Sequence, residues 1–355
     1  LASSSAASDV YKRQHLGLLL DSKLDYKAHI EGKLAKARSG LGLMKQLKKW
    51  VSHDVLENIY KLYVRPNLDY ADIILHKAEE VVPVFYKINE NSYMKQIEQI
   101  QYTAARIITG AWKGTDRERL YDNLGWESLN ERRVMRKLCI IYETLDTKFP
   151  NYLYKTLENQ FYSPNERKYG KKLLKPIYCK KSEYRLSFFP ATIRDWNKLD
   201  KNIKEAKTKN IFKKRILNKI RPKKASYFGI RDHNHIRYLT MLRLGLSPLR
   251  AHKFKHGFSD TSNRLCIVCN TTEDTEHFLL LCRSFTPLRS TLLQKVSDIL
   301  EFEVSNIPRR SLVNILLFGK EDIPINKNLS ILNLVIEFII SCLLYTSPSP
   351  RDVSL

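Results

Sequence analysis

Cys266, Cys269, His277 and Cys282 fall within seventeen residues in the pattern C-x2-C-x7-H-x4-C. Three thiolates and one imidazole are a donor set that Zn²⁺ takes tetrahedrally. The spacing of the first pair lets one tight turn aim both sulfurs at one ion. Four protein ligands leave no open position, so the pattern predicts a structural zinc rather than a catalytic one. His277 and Cys282 lie five residues apart, about 140° around an ideal helix. The chain must therefore bend between them if both are to reach the metal. A disulfide is the weaker reading, because nothing in the sequence indicates an oxidising compartment. Cys139 and Cys179 stand alone and read as core thiols. No HExxH-type base accompanies the cluster, which sets aside a zinc hydrolase.

The second chemical signal is charge. The 355 residues carry a net charge of +24, and 43% hydrophobic content places the chain among globular rather than disordered proteins. Between residues 160 and 255 there are 27 Lys or Arg against 6 Asp or Glu. An excess of that size points to a polyanionic partner, nucleic acid ahead of an anionic membrane surface. Lys33, Lys36, Arg38, Lys45, Lys48 and Lys49 form an early patch. Lys213, Lys214, Arg215, Lys219, Arg221, Lys223 and Lys224 form a denser later one. Tyr162, Tyr169, Tyr178 and Tyr184 are interleaved with the basic residues, to stack on unpaired bases or to pack against lysine stems. No signal peptide is evident, and the apolar run 331–344 is short and interrupted by Asn333 and Glu337. The expectation is an intracellular protein, of nucleus and cytoplasm, with no membrane partner.

The elements that must position these groups are helices. His15–Asp21 reads as a short buried strand. Ile30, Leu34, Ala37, Leu41, Met44 and Leu47 recur every three or four residues, an amphipathic helix with a basic outer face. Ser52 caps a second helix with Val55, Ile59, Leu62 and Tyr63 inward, ended or followed by Pro66. Ile97, Ile100, Ala104 and Ile108 mark a third, stopped near Gly110. Thr115 with Glu118 and Ser128 with Glu131 read as capping boxes. The helix after Ser128 turns Val134, Leu138, Ile141 and Leu145 inward. A basic, Tyr-rich linker over 160–185 precedes helices carrying Trp196 and Leu199, then Ile211, Phe212, Ile216 and Ile220. Two more follow on Ile236, Leu239 and Leu242, and on Leu288, Leu292, Val296 and Ile299. No internal repeat is found.

Both ends look foreign. Asp9–Gln14 can be encoded by GAT GTG TAT AAG AGA CAG, and the reverse complement of that string, shifted by one base, encodes Cys342–Ser347. Residues 1–14 and 342–355 therefore read as translated sequencing-adapter tails around a fragment of a longer protein.

Tyr60–Tyr70 (YKLYVRPNLDY) resembles the C-terminal part of non-LTR, LINE-type, jockey-like retrotransposon reverse transcriptases. The resemblance takes in His15–Asp21, Ile97–Gly110, Phe188–Leu199 (FFPATIRDWNKL) and Leu242–His256 (LRLGLSPLRAHKFKH), and reaches the Cys/His cluster. It covers nearly all of 15–300. It implies a thumb-like helical domain over 15–157, a basic nucleic-acid-binding connector over 158–257 and a small CCHC zinc-binding module over 258–341. The fold class expected is thus mainly α. The function implied is the C-terminal part of an RNA-directed DNA polymerase that holds RNA and DNA, template–primer or element RNA and target DNA. The Mg²⁺-binding carboxylates of the palm would lie N-terminal to this chain, so Mg²⁺ belongs to that missing domain and the fragment is inactive alone. Tyr70-Ala71-Asp72-Ile73 has only a superficial likeness to the family's [FY]-x-D-D turn, because Ile73 stands where the second carboxylate belongs. Asp69 and Asp72 read as polar thumb residues. The alternative function is a stand-alone, non-enzymatic nucleic-acid-binding protein derived from a retroelement.

Overall fold

The computed structural model describes residues 13–20, 26–75, 93–162, 173–220, 233–320 and 322–345. The architecture is mainly α. The strands among the described residues are β1 (Arg13–His15) and β2 (Leu18–Leu20), antiparallel with Arg13 opposite Leu20. The single strand expected here is thus half of a hairpin. Leu16 and Gly17 both adopt positive φ, 49° and 82°, which is what a two-residue hairpin turn demands and what glycine makes easy. Asp21 lies outside the described residues.

Helix α1 (Lys27–Leu47) buries Ile30, Leu34, Ala37, Leu41 and Met44, the stripe legible in its spacing. At α2 (His53–Ile59), Ser52 Oγ accepts a long bond from Val55 N at 3.5 Å. Its inward face differs from the expected one. Leu56, Tyr60, Val64 and Leu68 are buried, whereas Val55, Leu62 and Tyr63 are exposed. A π-helical turn, Tyr60–Val64, leads from α2 into α3 (Arg65–Asp69). It breaks the helical period, and the run is apolar on too many sides for spacing to choose a face. Pro66 occupies the first turn of α3, where no intrahelical donor is needed. After α4 (Asp72–Leu75), α5 (Tyr93–Thr109) buries Ile97, Ile100, Ala104 and Ile108 and stops at Gly110, φ 69°.

The cap of α6 (Arg117–Leu124) is Asp116 rather than Thr115. Arg119 N donates to Asp116 Oδ1 at 2.9 Å, and Thr115 Oγ1 turns back to Trp112 O. The box at α7 (Leu129–Thr147) is present as expected, with Glu131 N donating to Ser128 Oγ and Ser128 N to Glu131 Oε2. Next come α8 (Asn151–Glu158), α9 (Ser182–Arg185), α10 (Phe188–Asn197), α11 (Lys201–Lys204) and α12 (Lys209–Ile220). The last group is α13 (His233–Leu244), α14 (Arg250–Lys255), α15 (Thr286–Leu300), α16 (Arg309–Phe318) and α17 (Ile325–Tyr345).

The chain divides into two units. Unit 1 comprises Leu1–Leu41, Lys61–Tyr102 and Tyr121–Lys223; unit 2 comprises Gly42–Tyr60, Thr103–Leu120 and Lys224–Leu355. These divisions differ from the three segments expected, because α10 and α12 pack on α7. Their shared core holds Leu138, Ile141, Tyr142, Trp196, Phe212 and Ile216. Tyr142 and Phe212 stack at 4.5 Å, and Tyr142 Oη donates to Ala206 O at 2.8 Å. The Tyr-rich stretch is tied into this unit at Leu174, which is buried and whose N and O both bond to the Asn197 side chain.

In unit 2, α17 packs on α13, α15 and α16 and buries Ile331, Leu332, Val335, Ile336, Phe338 and Ile339. By length and composition its segment Ile325–Cys342 could cross a membrane. In the structure 39% of that segment is buried. Cys342 is buried, so the helix runs on into the stretch read as adapter-derived.

Candidate metal centre and basic surfaces

The cluster is built by a hairpin followed by a wide turn. Leu265 and Thr272 pair as an isolated antiparallel bridge, Cys266 N donates to Thr271 O at 2.8 Å, and Asn270 N returns to Cys266 O at 3.0 Å. Asn270 takes positive φ, 53°, as a short polar side chain tolerates. This closes the loop that turns Cys266 and Cys269 to the same side. Asp274 Oδ1 then accepts from His277 N at 2.8 Å. Residues His277–Leu281 form a π-helical turn, with Cys282 N donating to His277 O at 2.8 Å. An i→i+5 hydrogen bond makes a turn one residue wider than that of the α-helix. It supplies the bend that the His–Cys spacing required.

As a result, one ligand atom from each of Cys266, Cys269, His277 and Cys282 lies within 4.8 Å of the others. All three cysteines are free thiols, and the Sγ atoms of Cys269 and Cys282 are 4.0 Å apart. His277 Nδ1 meets Thr271 Oγ1 at 3.1 Å, while its Nε2 is buried and makes no hydrogen bond among the described residues. With Nδ1–H donating to the threonine, the Nε2 lone pair is left for a metal. A buried nitrogen without a partner beside three sulfurs is a set of side chains that could hold a metal ion.

Without a cation the site resists ionisation unevenly. Burial pushes the Cys282 thiol up to about 11 and lowers His277. Cys269 is held below the usual thiol range, chiefly because Arg283 N donates to its sulfur at 3.3 Å. A bound divalent ion reverses the penalty on Cys282, since it favours the thiolate directly. Beneath the cluster, Phe278, Phe285 and Phe338 pack edge to face or tilted, with centroids 5.5–6.4 Å apart. The buried Arg289 donates through Nη2 to Cys282 O at 2.8 Å, and its Nη1 has no hydrogen bond among the described residues. The sequence reading singled out neither Thr271 nor Arg289. Proximity to the cluster in sequence was the one available signal.

The basic residues fall out as follows. On α1, Lys36, Arg38 and Lys45 are exposed and Lys33 is half-buried, its Nζ 3.8 Å from the Tyr70 ring centroid. Just past the helix, Lys49 is exposed and Lys48 half-buried. On α12, Lys213, Lys214, Arg215 and Lys219 are exposed. Lys219 pairs with Asp200 at 2.7 Å, and Arg215 donates to Asn202 O. Arg221, Lys223 and Lys224 lie outside the described residues. So does Tyr169. Tyr178 and Tyr184 are exposed, and Tyr162 is half-buried beneath Lys175. Cys139 is a core thiol as expected, but Cys179 is only half-buried, bonding to Ile177 O.

Asp69 and Asp72 are engaged by arginines. Asp69 meets Arg132 at 3.1 Å and Arg136 at 2.7 Å, and the buried Asp72 meets Arg136 at 2.8 Å. Burial raises Asp72 above the usual carboxylate range against the pull of Arg136. No protein-family model matches the chain, and comparison with curated proteins and with solved structures likewise finds no match.

Proposed function

We propose that the Cys/His cluster holds zinc and that the chain is the nucleic-acid-holding C-terminal part of a retrotransposon RNA-directed DNA polymerase. The zinc assignment follows from the donors. Three sulfurs and one nitrogen suit a closed tetrahedral Zn²⁺ site. The 4.0 Å between Cys269 and Cys282 sulfurs is close to the ~3.8 Å edge implied by Zn–S bonds of about 2.3 Å. The ion's role is structural: it fastens the hairpin to the turn that precedes α15.

The nucleic-acid reading is carried by one observation. Helices α1 and α12 bury apolar stripes and leave Lys36, Arg38, Lys213 and Lys214 on their exposed faces, in a chain of net charge +24. Such cations position a phosphate backbone without reading its sequence. Anisotropy titration of the full chain with labelled RNA and DNA tests it. Four phosphate contacts lower affinity about 100-fold between roughly 50 and 200 mM salt through counterion release. Affinity indifferent to salt would count against the reading.

The polymerase assignment rests on the motif resemblance, from Tyr60–Tyr70 to the Cys/His cluster. The arginine pairing of Asp69 and Asp72 supports a structural rather than metal-binding role for both. In an intact enzyme Asp72→Asn should leave turnover of a saturated template–primer within a few fold, where loss of a Mg²⁺ ligand would abolish it. That same pairing also suits the second reading, a non-enzymatic retroelement-derived binder. Sequencing the DNA upstream of residue 15 separates them: an in-frame palm supports the polymerase, and a start codon there supports the binder.

A further inference from the structure

Five cations of unit 2 converge near the end of α1. Lys45 lies on the last turn of α1, and Lys48 and Lys49 in the turn that follows, where Lys48 N donates to Met44 O at 3.0 Å. Arg106 lies on the last turn of α5, one turn before Gly110. Arg237 of α13 lies across that end of α5: a Cβ on Gly110 would fall 2.7 Å from Arg237 Cγ. Arg106 and Arg237 are both half-buried, and Arg237 Nε is buried without a hydrogen bond among the described residues. Among the described residues Arg237, Lys49, Lys45 and Arg106 bear on Lys48, and burial first and these cations second hold its ammonium below the usual lysine range. Trp50 follows directly, in the turn where its N donates to Leu47 O at 2.8 Å, and it is 83% exposed.

Like charges gathered on a half-buried surface are relieved by an anion. An exposed indole beside them adds a flat apolar face. We propose that this corner of unit 2 is a single-strand nucleic-acid site, in which Lys45, Lys48, Lys49, Arg106 and Arg237 face phosphates and Trp50 stacks on an unpaired base. The inference rests on the nucleic-acid reading above and narrows it. A duplex offers the same phosphates but keeps its bases stacked inside, whereas a single strand can lay one base on an aromatic face. An anionic bilayer offers charge without a base plane.

The test is anisotropy titration of the full chain with labelled oligo-dT, with the matching duplex and with vesicles of phosphatidylcholine and phosphatidylserine. Variants are checked first for an unchanged melting curve. Trp50→Ala should weaken oligo-dT binding about 5- to 100-fold with no change of salt slope, and leave duplex binding unaltered. Trp50→Phe should restore most of it, and oligo-dT should quench wild-type tryptophan emission more than that of Trp50→Phe. Lys48→Gln with Arg237→Gln should lower the slope of log K against log salt by about 1.4. If these variants bind like wild type while Lys213→Gln with Lys214→Gln weakens binding, this site is overturned and the broader reading stands. If wild type binds neither nucleic acid, both fall. Equal loss on duplex and oligo-dT for Trp50→Ala, or binding to the vesicles alone, overturns the single-strand assignment.

Discussion

At the scale of residues, the charge that a bound divalent ion would leave at the Cys/His cluster decides which neighbour matters. Three thiolates around a divalent ion leave a net charge of about −1 in a partly buried site. Besides Arg283, whose charge bears on Cys269, the buried Arg289 can offset it, with Nη2 already on Cys282 O and Nη1 without a hydrogen bond among the described residues. Arg289→Gln should release zinc to a chelator about tenfold faster, with Arg289→Lys intermediate, followed with a colorimetric zinc dye. Cys266→Ser with Cys269→Ser should remove one equivalent of zinc by elemental analysis and expose residues 260–300 to amide exchange. The cluster was legible in the sequence because metal-binding chemistry fixes both residue type and spacing, and its four donor atoms do lie within 4.8 Å of one another. Arg289 was not, since an arginine seven residues past a cysteine looks like any surface arginine until a carbonyl is found in its reach.

At the scale of elements, α7 organises unit 1. Arg132 and Arg136 reach the turn between α3 and α4, while the opposite face takes up α10 and α12. Removing one partner of a buried ion pair leaves its mate uncompensated. Among the described residues, Arg136→Met leaves Asp69 with Arg132 and the buried Asp72 with only Arg133, at 4.0 Å, so it should cost about 1–3 kcal/mol in urea unfolding, and adding Asp72→Asn should recover part of that loss. Lys137, 3% exposed on the same helix, is pushed down by burial to about 8 from the ordinary 10.5. The unfolded chain thus holds that proton more tightly, and stability rises with pH between those two values. Comparing pH-resolved denaturation of wild type with Lys137→Met should show that increment missing from the variant. The stripes of α1 and α5 were readable because polar residues flank a single apolar face. The α2–α3 face was misjudged because a π-turn intervenes where apolar residues surround the chain. The packing of α10 and α12 on α7 depends on contacts between residues far apart in sequence, which local periodicity does not encode.

For the molecule as a whole, a net charge of +24 sets two properties in opposition. Self-repulsion disfavours a folded chain of this charge at low ionic strength, and salt screens it. The melting temperature of the free protein should rise by a few degrees from roughly 50 to 500 mM NaCl, over the range in which the proposed nucleic-acid binding should weaken. A melting temperature that falls or stays flat would mean that acidic partners already balance most of the cations within the fold.

The alternation of stretches between the two units has a practical consequence for cloning. Residues 42–60 and 103–120 belong with the C-terminal unit, although most of that unit is encoded far downstream. A gene cut after residue 223 would express a polypeptide carrying the whole Cys/His cluster but lacking two of the strips it folds with. Such a truncation should come out as inclusion bodies, and co-expressing residues 42–120 is the rescue to try.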